Sequence, residues 1–194
     1  MKPHLVIIGL GNPGKEHDRT RHNAGFRAVD LLSEKFGEGD WAENQKFLCR
    51  MQEARIITVP VLLVQPTTYM NRSGECIRKL VEFYKLNPRQ QILIVCDDID
   101  LPAGEVRLRM KGGPGTHNGL RSIVVVLGEE FPRLRIGIGG SSARSDRSDG
   151  HPKGEDLAAW VLSVPPKEEQ DVIRTAMEGI PEIVRKFVME RVDE

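Results

Sequence analysis

Apolar and polar positions along the chain follow two different periods, and together they predict an α/β fold. Short apolar or alternating runs predict strands at 4–8, 46–55, 56–64, 92–95, 106–110 and 134–138. Apolar residues three and four positions apart predict helices over 23–37, 73–87 and 120–127 and over most of the last thirty residues. Strands that alternate with helices predict a single α/β domain over 1–194, with a twisted, mixed and largely parallel sheet flanked by helices.

The predicted strands and helices are separated by polar connections and followed by a C-terminal region. The polar residues 38–45 are predicted to form a connection, and 139–154, which is rich in Ser, Asp, Arg and Gly, is predicted to be a flexible loop. Residues 155–194 form the predicted C-terminal helical region, broken near Pro181. Ser73 or Asn71 is a candidate N-cap for the helix that begins there.

Polar side chains follow several of the predicted strands. Asn12 and His22 come after the first strand, and Asn71, Asp97 and Asn118 follow later apolar segments. Parallel strands that are neighbours would bring such side chains together at one edge of the sheet. Each residue also has a purely structural interpretation as a helix cap or a turn residue. The convergence of all of them is what favours a functional site.

The glycines of the first loop, at 9, 11 and 14, match the dinucleotide-binding pattern G-x-G-x-x-G. That fingerprint requires a helix to start at the third glycine, so that its N-terminus faces the pyrophosphate. Here the apolar period begins about eight residues later. Asp30 also falls inside the helix rather than at the end of a second strand. We therefore do not expect a nucleotide cofactor.

Charge changes the picture, because the net charge of zero hides an uneven distribution. The chain carries 28 basic and 28 acidic residues, which argues against a polycationic nucleic-acid binder. Residues 104–147 nevertheless contain eight basic and four acidic residues, whereas 167–194 contain five basic and eight acidic residues. This asymmetry indicates one cationic face, although a mixed solvated surface would explain it equally well.

The cysteines and the chain's hydropathy bear on its compartment. Cys49, Cys76 and Cys96 are odd in number, lack metal-like spacing and lie in or beside apolar segments. They are typical of buried, reduced thiols of a cytosolic protein. No signal-peptide core or long apolar run is present. We expect a cytoplasmic protein that does not contact a membrane and is a monomer.

A histidine, a carboxylate and three amides, with no serine or cysteine nucleophile, suit hydrolysis by an activated water molecule. The carboxylate would orient the imidazole, the imidazole would take the proton of water, and amide N–H groups would hold the substrate carbonyl. A magnesium site formed by Asp97, Asp98 and Asp100 is the alternative that the residues leave open.

Six sequence blocks, in order and at matching spacing, resemble the bacterial-type peptidyl-tRNA hydrolase family. The blocks are GLGNPG (9–14), TRHNAG (20–25), TYMNRSG (68–74), DDIDLP (97–102), GGPGTHNG (112–119) and RLRIGIG (133–139). The resemblance implies cleavage of the ester between a peptide, or an N-blocked amino acid, and the 3′ ribose of tRNA. It implies peptidyl-tRNA as the partner and neither a metal nor a cofactor.

The resemblance also implies roles for individual residues. His22 would be the general base and Asp97 its partner. The residues implied to hold the peptide, the ester carbonyl or the attacking water, or to line the channel, are Asn12, Tyr69, Met70, Asn71 and Asn118. The residues implied to contact tRNA phosphates are Arg107, Arg109 and Arg135.

A non-catalytic RNA-binding relative of the same fold is the alternative from another class. Such a protein resembles a plant organelle factor for intron splicing and shares many of these blocks. We expect it to carry a transit peptide, whereas this sequence begins at its first predicted strand.

Overall fold

The structure is a computed structural model that describes residues 2–139 and 155–192. Its strands are β1 (Leu5–Gly9), β2 (Gly37–Asn44), β3 (Cys49–Ile56), β4 (Val59–Pro66), β5 (Ile92–Pro102), β6 (Val106–Arg109) and β7 (Arg133–Gly139). Its helices are α1 (Ala24–Phe36), α2 (Ser73–Tyr84), α3 (Pro88–Gln91), α4 (Asn118–Leu127), α5 (Glu155–Val161), α6 (Lys167–Met177) and α7 (Ile180–Val192).

One seven-stranded mixed sheet, in the order β2-β3-β4-β1-β5-β7-β6, organises the molecule. The strands β4, β1, β5 and β7 are parallel neighbours, and β2, β3 and β6 extend the sheet in antiparallel pairing. Leu5 and Ile7 of β1 pack with α1, α6 and α7, whereas Val6 and Ile8 pack with α2 and α4. This alternation confirms the predicted α/β class with helices on both faces.

The sequence prediction ends β5 at residue 95, although that strand runs to Pro102, and it is also wrong at 38–45. The stretch forms most of β2, which pairs with β3 at the outer edge of the sheet. Its residues are mostly exposed. An edge strand with solvent on both faces needs no apolar alternation, so the pattern that marks buried strands is missing there.

Helix ends also differ from the predictions. Arg72 occupies the N-cap position of α2, so neither Ser73 nor Asn71 caps that helix. The N-cap of α4 is His117, and Asn118 is the first helical residue. The predicted break near Pro181 is confirmed, because α6 ends at Met177 and α7 begins at Ile180. The predicted flexible loop lies outside the described residues except for Gly139, which ends β7.

Two other expectations can be compared with the described residues. Cys49, Cys76 and Cys96 are all free and buried, as predicted. Among the helices described, none combines the length and the apolar character needed to cross a membrane.

Close packing of glycines fixes the loop that carries His22. A Cβ atom on Gly25 would lie 2.3 Å from the carbonyl oxygen of Val95 and 2.6 Å from the backbone nitrogen of Leu10. A Cβ atom on Gly9 would in turn lie 2.4 Å from the carbonyl oxygen of Gly25. Only glycine allows the first turn of α1 to approach β1 and β5 this closely. The 3₁₀ turn Arg21–Asn23, which leads into α1, is thereby held at the carboxyl end of the sheet.

Candidate active site

His22 and Asp97 lie in direct contact. The Nδ1 atom of His22 lies 2.9 Å from Oδ1 and 3.0 Å from Oδ2 of Asp97. The 3₁₀ turn before α1 supplies the histidine, and the buried strand β5 supplies the carboxylate, which is 3% exposed. An ionised carboxylate can only accept, so Nδ1 of His22 carries the proton and donates it. The Nε2 atom of neutral His22 therefore keeps the lone pair that a general base needs.

A second histidine, His117, binds the same carboxylate. Its Nε2 atom lies 3.0 Å from Oδ1 of Asp97, and its ring centroid lies 4.9 Å from that of His22. The backbone N–H of Leu120 donates to Nδ1 of His117 over 3.2 Å, so the side chain also caps α4. A ring nitrogen that accepts from a backbone N–H carries no proton, which places the proton of neutral His117 on Nε2. Both histidines therefore donate to Asp97.

The same tautomers bear on metal binding. Among residues 2–139 and 155–192, potential metal ligands converge at His22, Asp97 and His117. Their ligand atoms lie within 4.8 Å of one another. A histidine that ligates a metal ordinarily donates its other N–H to a neighbour. Nδ1 of His117 instead accepts from Leu120, so a metal on Nε2 would require that cap to break. The geometry fits a hydrogen-bonded triplet better than a metal centre.

The predicted magnesium alternative fits no better. Asp98 is paired with Arg135, and Asp97 is engaged by two histidines. The carboxylate of Asp98 also accepts from the backbone N–H of Asp100 over 2.8 Å, near the C-terminal end of β5. Asp97 and Asp98 thus bind different partners, and the converging group of His22, Asp97 and His117 includes neither Asp98 nor Asp100.

Burial and charge act in opposite directions on the pKa of His22, and they do so again on the pKa of Asp97. Burial lowers the pKa of His22, but the charge of Asp97 and the hydrogen bond to it raise that pKa more, to above the ordinary value of 6.5. Burial alone would raise the pKa of Asp97, but the two histidines hold it below its usual range through charge and hydrogen bonds. Asp97 is therefore ionised at neutral pH, and the pKa of His22 lies above its ordinary value.

Asn12 is held by backbone contacts. Its N–H donates to Oδ1 of Asn23 over 2.8 Å, and Nδ2 of Asn23 donates to the carbonyl of Asn12 over 2.9 Å. The Oδ1 atom of Asn12 accepts from the backbone N–H of Met70 over 2.8 Å, which identifies that atom as the oxygen. The Nδ2 group of Asn12 is the donor that remains for a substrate carbonyl.

The other residues predicted to bind substrate are spread more widely. Met70 is buried, and a Cβ atom on Gly119 would lie 2.5 Å from its sulfur, so Met70 packs where α4 begins. Tyr69 is 60% exposed, and Asn71 and Asn118 are also exposed. The close approach of α2 to α4, where the backbone N–H of Gly74 donates to Oγ of Ser122, holds the Met70 and Asn118 segments side by side.

Two cavities divide the candidates. A cleft of about 450 Å³ contains His22, Asp97, His117 and Asn118, and Leu157, Ala158 and Val161 of α5 form part of its wall. Asn12 lies in a second cavity of about 470 Å³, together with Asn23. Asn12 is bonded to Met70, which packs where α4 begins, and neither residue lines the main cleft. The predicted site residues therefore do not share one cavity.

The predicted cationic residues lie on and beside β6, at the edge of the sheet. In the antiparallel register Arg107 is opposite Arg135 and Arg109 is opposite Arg133, so all four project from one face. Arg109 is exposed and lines the main cleft. Arg107 is bonded to Glu105, and Arg135 is bonded to Asp98. Of the three predicted phosphate contacts, Arg109 is therefore the one that best fits an incoming phosphate.

The cleft as a whole is positively charged. Its lining contains five cationic residues, Arg109, Lys111, Arg121, Arg133 and Arg135, against the three carboxylates of Asp97, Asp98 and Asp100. Arg133 is buried and donates to the backbone carbonyls of Gly113 and Glu129, so it holds the loop segment that contains Gly113. Lys111 and Arg121 are exposed, and they join Arg109 at the rim.

This combination of a buried His–Asp–His triplet and a cationic rim can be compared with known proteins. Residues 6–194 match the family model described as peptidyl-tRNA hydrolase. The chain belongs to the peptidyl-tRNA hydrolase family. The resemblance read from the six sequence blocks is thereby confirmed.

Relatives in the peptidyl-tRNA hydrolase family match the chain along nearly all its length. The protein named peptidyl-tRNA hydrolase from Chloroflexus aggregans is 43% identical over 187 residues, which are 95% of this chain and 93% of the relative. That from Alkaliphilus oremlandii is 42% identical over 184 residues, covering 94% and 92%. The crystal structure of peptidyl-tRNA hydrolase from Acinetobacter baumannii is 38% identical, with a TM-score of 0.86 over 100% of this chain and 92% of that one.

Two residues of this family member were missed as site residues from its sequence. His117 and Asn23 stand directly beside the predicted Asn118 and His22, within the quoted blocks. The signal was available, because a histidine just before a helix is a candidate cap with a second ring nitrogen free for another partner. Which partner that nitrogen meets is a tertiary property.

Proposed function

We propose that this chain hydrolyses the ester bond between a peptide, or an N-blocked amino acid, and the 3′ ribose of tRNA, and so recycles tRNA from prematurely released peptidyl-tRNA. The observation that carries the proposal is the contact between Nδ1 of His22 and the buried carboxylate of Asp97, in a chain of the peptidyl-tRNA hydrolase family. The proposed partner is peptidyl-tRNA. The proposed setting is a monomer in the cytoplasm.

The proposed reaction begins with water in the cleft. Nε2 of His22 takes a proton from water as its oxygen attacks the ester carbonyl carbon, and ionised Asp97 stabilises the imidazolium that forms. The carbonyl oxygen becomes an oxyanion, which N–H donors stabilise. The C–O bond to the ribose then breaks, and the imidazolium returns its proton to the 3′ oxygen. The products are tRNA and the peptide, whose new carboxyl group releases the second proton of water to solvent, and no covalent enzyme intermediate is required.

Asparagine side chains are proposed to hold the reacting group. Nδ2 of Asn12 is the donor left after Met70 and Asn23 have fixed that residue, and it suits a carbonyl of the peptide part. Asn118 lines the main cleft beside His117 and is proposed to place the water. Asn71 and Tyr69 are exposed and are proposed to contact substrate that extends from the cleft.

The rim is proposed to bind the tRNA backbone. Arg109 is the principal phosphate contact, because it is exposed at the cleft and lies on the arginine-bearing face of β6 and β7. Arg107 and Arg135 are secondary, because a phosphate must compete with Glu105 and Asp98 for them. Contacts to phosphate supply affinity that does not depend on sequence and that falls as salt rises.

Release of the blocked amino acid from diacetyl-lysyl-tRNA, measured with EDTA present, tests the proposal. The wild type should turn over, and His22→Asn should lose about 10²–10⁴-fold in kcat, the range for one general base. Binding of the same tRNA by His22→Asn should persist, because the arginine rim is intact. A wild type that binds tRNA but releases nothing would overturn the proposal in favour of the non-catalytic RNA-binding alternative. Turnover that EDTA abolishes would favour a metal-dependent hydrolase.

A further inference from the structure

Arg21 stands directly before His22 in the same 3₁₀ turn and has no part in the chemistry above. It is 4% exposed, although it is an arginine on a connecting segment. Its Nε and Nη2 atoms donate to the two carboxylate oxygens of Glu169 in α6, each over 2.8 Å. A planar guanidinium that binds both oxygens of a carboxylate fixes the orientation as well as the distance between the two chain segments.

The other side of the same guanidinium holds the end of α5. Its Nη1 atom donates to Oγ of Ser163 over 2.6 Å and to the carbonyl of Trp160 over 3.3 Å. The ring of Trp160 covers the guanidinium, with its centroid 4.2 Å from Cζ. The backbone N–H of Arg21 also donates to the carbonyl of Ser163 over 3.2 Å. One residue thus joins the His22 turn to α5, to the segment after it and to α6.

The part of the chain held in this way forms a wall of the main cleft. Leu157, Ala158 and Val161 of α5 line the cleft that also contains His22 and Asp97. Trp160 contacts the Arg21 guanidinium through both its ring and its backbone carbonyl, and it lies between two of these wall residues in the sequence. The position of the wall relative to the catalytic turn therefore depends on contacts made by the residue next to His22.

Stability alone is a poor explanation for this arrangement. A buried ion pair costs desolvation, and apolar residues of similar volume often stabilise a fold equally well or better. Unlike an apolar residue, the guanidinium supplies a fixed geometry towards four acceptor atoms on α5, on α6 and on the segment between them. Such geometry matters where a wall must stand at a set distance from a reacting group.

We propose that Arg21 is a positioning residue that sets α5 against the cleft, so that the α5 wall completes the binding surface for the part of the substrate next to the scissile ester. The proposal rests on the proposed function for its kinetic readout. His22 is held independently by Asp97 and by the close packing at Gly25. Loss of Arg21 should therefore weaken substrate binding more than it slows the chemical step.

The test compares three variants of the full chain with the wild type. Arg21→Met removes the guanidinium. Arg21→Met combined with Glu169→Met removes both charges, so that no unpaired buried carboxylate is left to destabilise the protein. Arg174→Met is the matched control, because it breaks the exposed pair with Asp171 on the same helix α6 and lines a different cavity. Steady-state hydrolysis of diacetyl-lysyl-tRNA gives kcat and KM, and hydrogen exchange reports on the backbone amides of α5.

Both Arg21 variants should lose up to about 10²-fold in kcat/KM, the size expected for a misplacement near 1 Å, with most of the loss in KM. The pH dependence of kcat should not move, and exchange of the α5 amides should become faster in both variants but not in the control. An unchanged KM, or unchanged exchange in α5, would overturn the proposal. Failure of the wild type to hydrolyse the substrate would instead overturn the proposed function, and the exchange result would still decide the positioning role.

Discussion

Asp97 and Asp98 are neighbours on β5, yet they belong to two different regions of the molecule. Asp97 is buried between two histidines, whereas Asp98 is bonded to Arg135 in the arginine-bearing face formed by β6 and β7. Successive side chains of a strand point to opposite faces, so one residue step separates the two regions.

The two regions use charge differently. In the triplet of His22, Asp97 and His117 the carboxylate charge of Asp97 is buried and held by hydrogen bonds at fixed distances, so dissolved salt screens it little. Along β6 the cations are exposed, and salt would screen their proposed attraction for phosphate. We infer that the triplet determines the rate of the chemical step and that the arginine-bearing face determines affinity for tRNA. The following predictions test this division.

Asp97→Asn should have the largest effect. An amide cannot stabilise the imidazolium of His22, so kcat should fall by about 10²–10⁴-fold with little change in KM. Asp98→Asn is the matched control on the neighbouring residue, and it should leave kcat much less affected. Steady-state kinetics with diacetyl-lysyl-tRNA distinguishes the two. A rise in KM at unchanged kcat in Asp97→Asn would contradict the division.

Gly25→Ala should damage the triplet through the backbone. The new Cβ atom would lie 2.3 Å from the carbonyl oxygen of Val95, so α1 would have to shift. The free energy of unfolding should fall by about 1–3 kcal/mol, as for overpacked sites, although alanine favours helices. Gly179→Ala is the control, because its Cβ atom would lie 3.6 Å from its nearest neighbour, which is ordinary contact. Urea denaturation measures both, and equal stability would contradict the packing argument.

Arg109→Ala should weaken binding without slowing the chemical step. Loss of one charge-assisted contact to phosphate corresponds to about a tenfold rise in KM. The slope of log(kcat/KM) against log salt should become shallower by about one. Arg55→Ala is the matched control, since Arg55 is an exposed, ion-paired arginine on β3, near the opposite edge of the sheet. A salt slope that is the same in both variants would exclude Arg109 as a phosphate contact.

Arg107→Ala should have the smallest effect. Its guanidinium is already bonded to Glu105, and a phosphate would have to replace that carboxylate. We expect KM to rise by about twofold to fivefold, the equivalent of roughly 0.5–1 kcal/mol. Steady-state hydrolysis of diacetyl-lysyl-tRNA at low and high salt measures the change in KM. A rise in KM equal to that of Arg109→Ala would show that the ion pair with Glu105 does not weaken binding of phosphate by Arg107.

The sequence predicted much of this arrangement because the relevant signals are local. The apolar runs of β1, β4 and β5 mark central strands; Asn12 follows the end of β1, and Asp97 follows the apolar run of β5. The same reasoning missed β2, because an exposed edge strand carries no apolar alternation. Burial of a strand leaves a pattern in the sequence, whereas hydrogen bonding at an open edge does not.

Partners across the fold could not be predicted from the sequence. That His117 shares Asp97 with His22, and that Asp98 is bonded to Arg135, depends on distances between segments far apart in the chain. Glu105, by contrast, stands only two residues from Arg107, so that ion pair could have been considered from the sequence. The roles assigned to His22, Asp97 and the asparagines stay predictions until variants are measured.

The pH dependence of kcat/KM tests the central claim, that Asp97 acts through His22. In the wild type kcat/KM should fall as the pH drops through the pKa of His22, which lies above 6.5, because protonated His22 cannot accept a proton. Arg109→Ala should lower kcat/KM without moving the midpoint. Asp97→Asn should move it to lower pH, because burial then acts on His22 without the charge that raises its pKa. A midpoint unchanged in Asp97→Asn, or no fall in the wild type between about pH 5 and 8, would contradict the account.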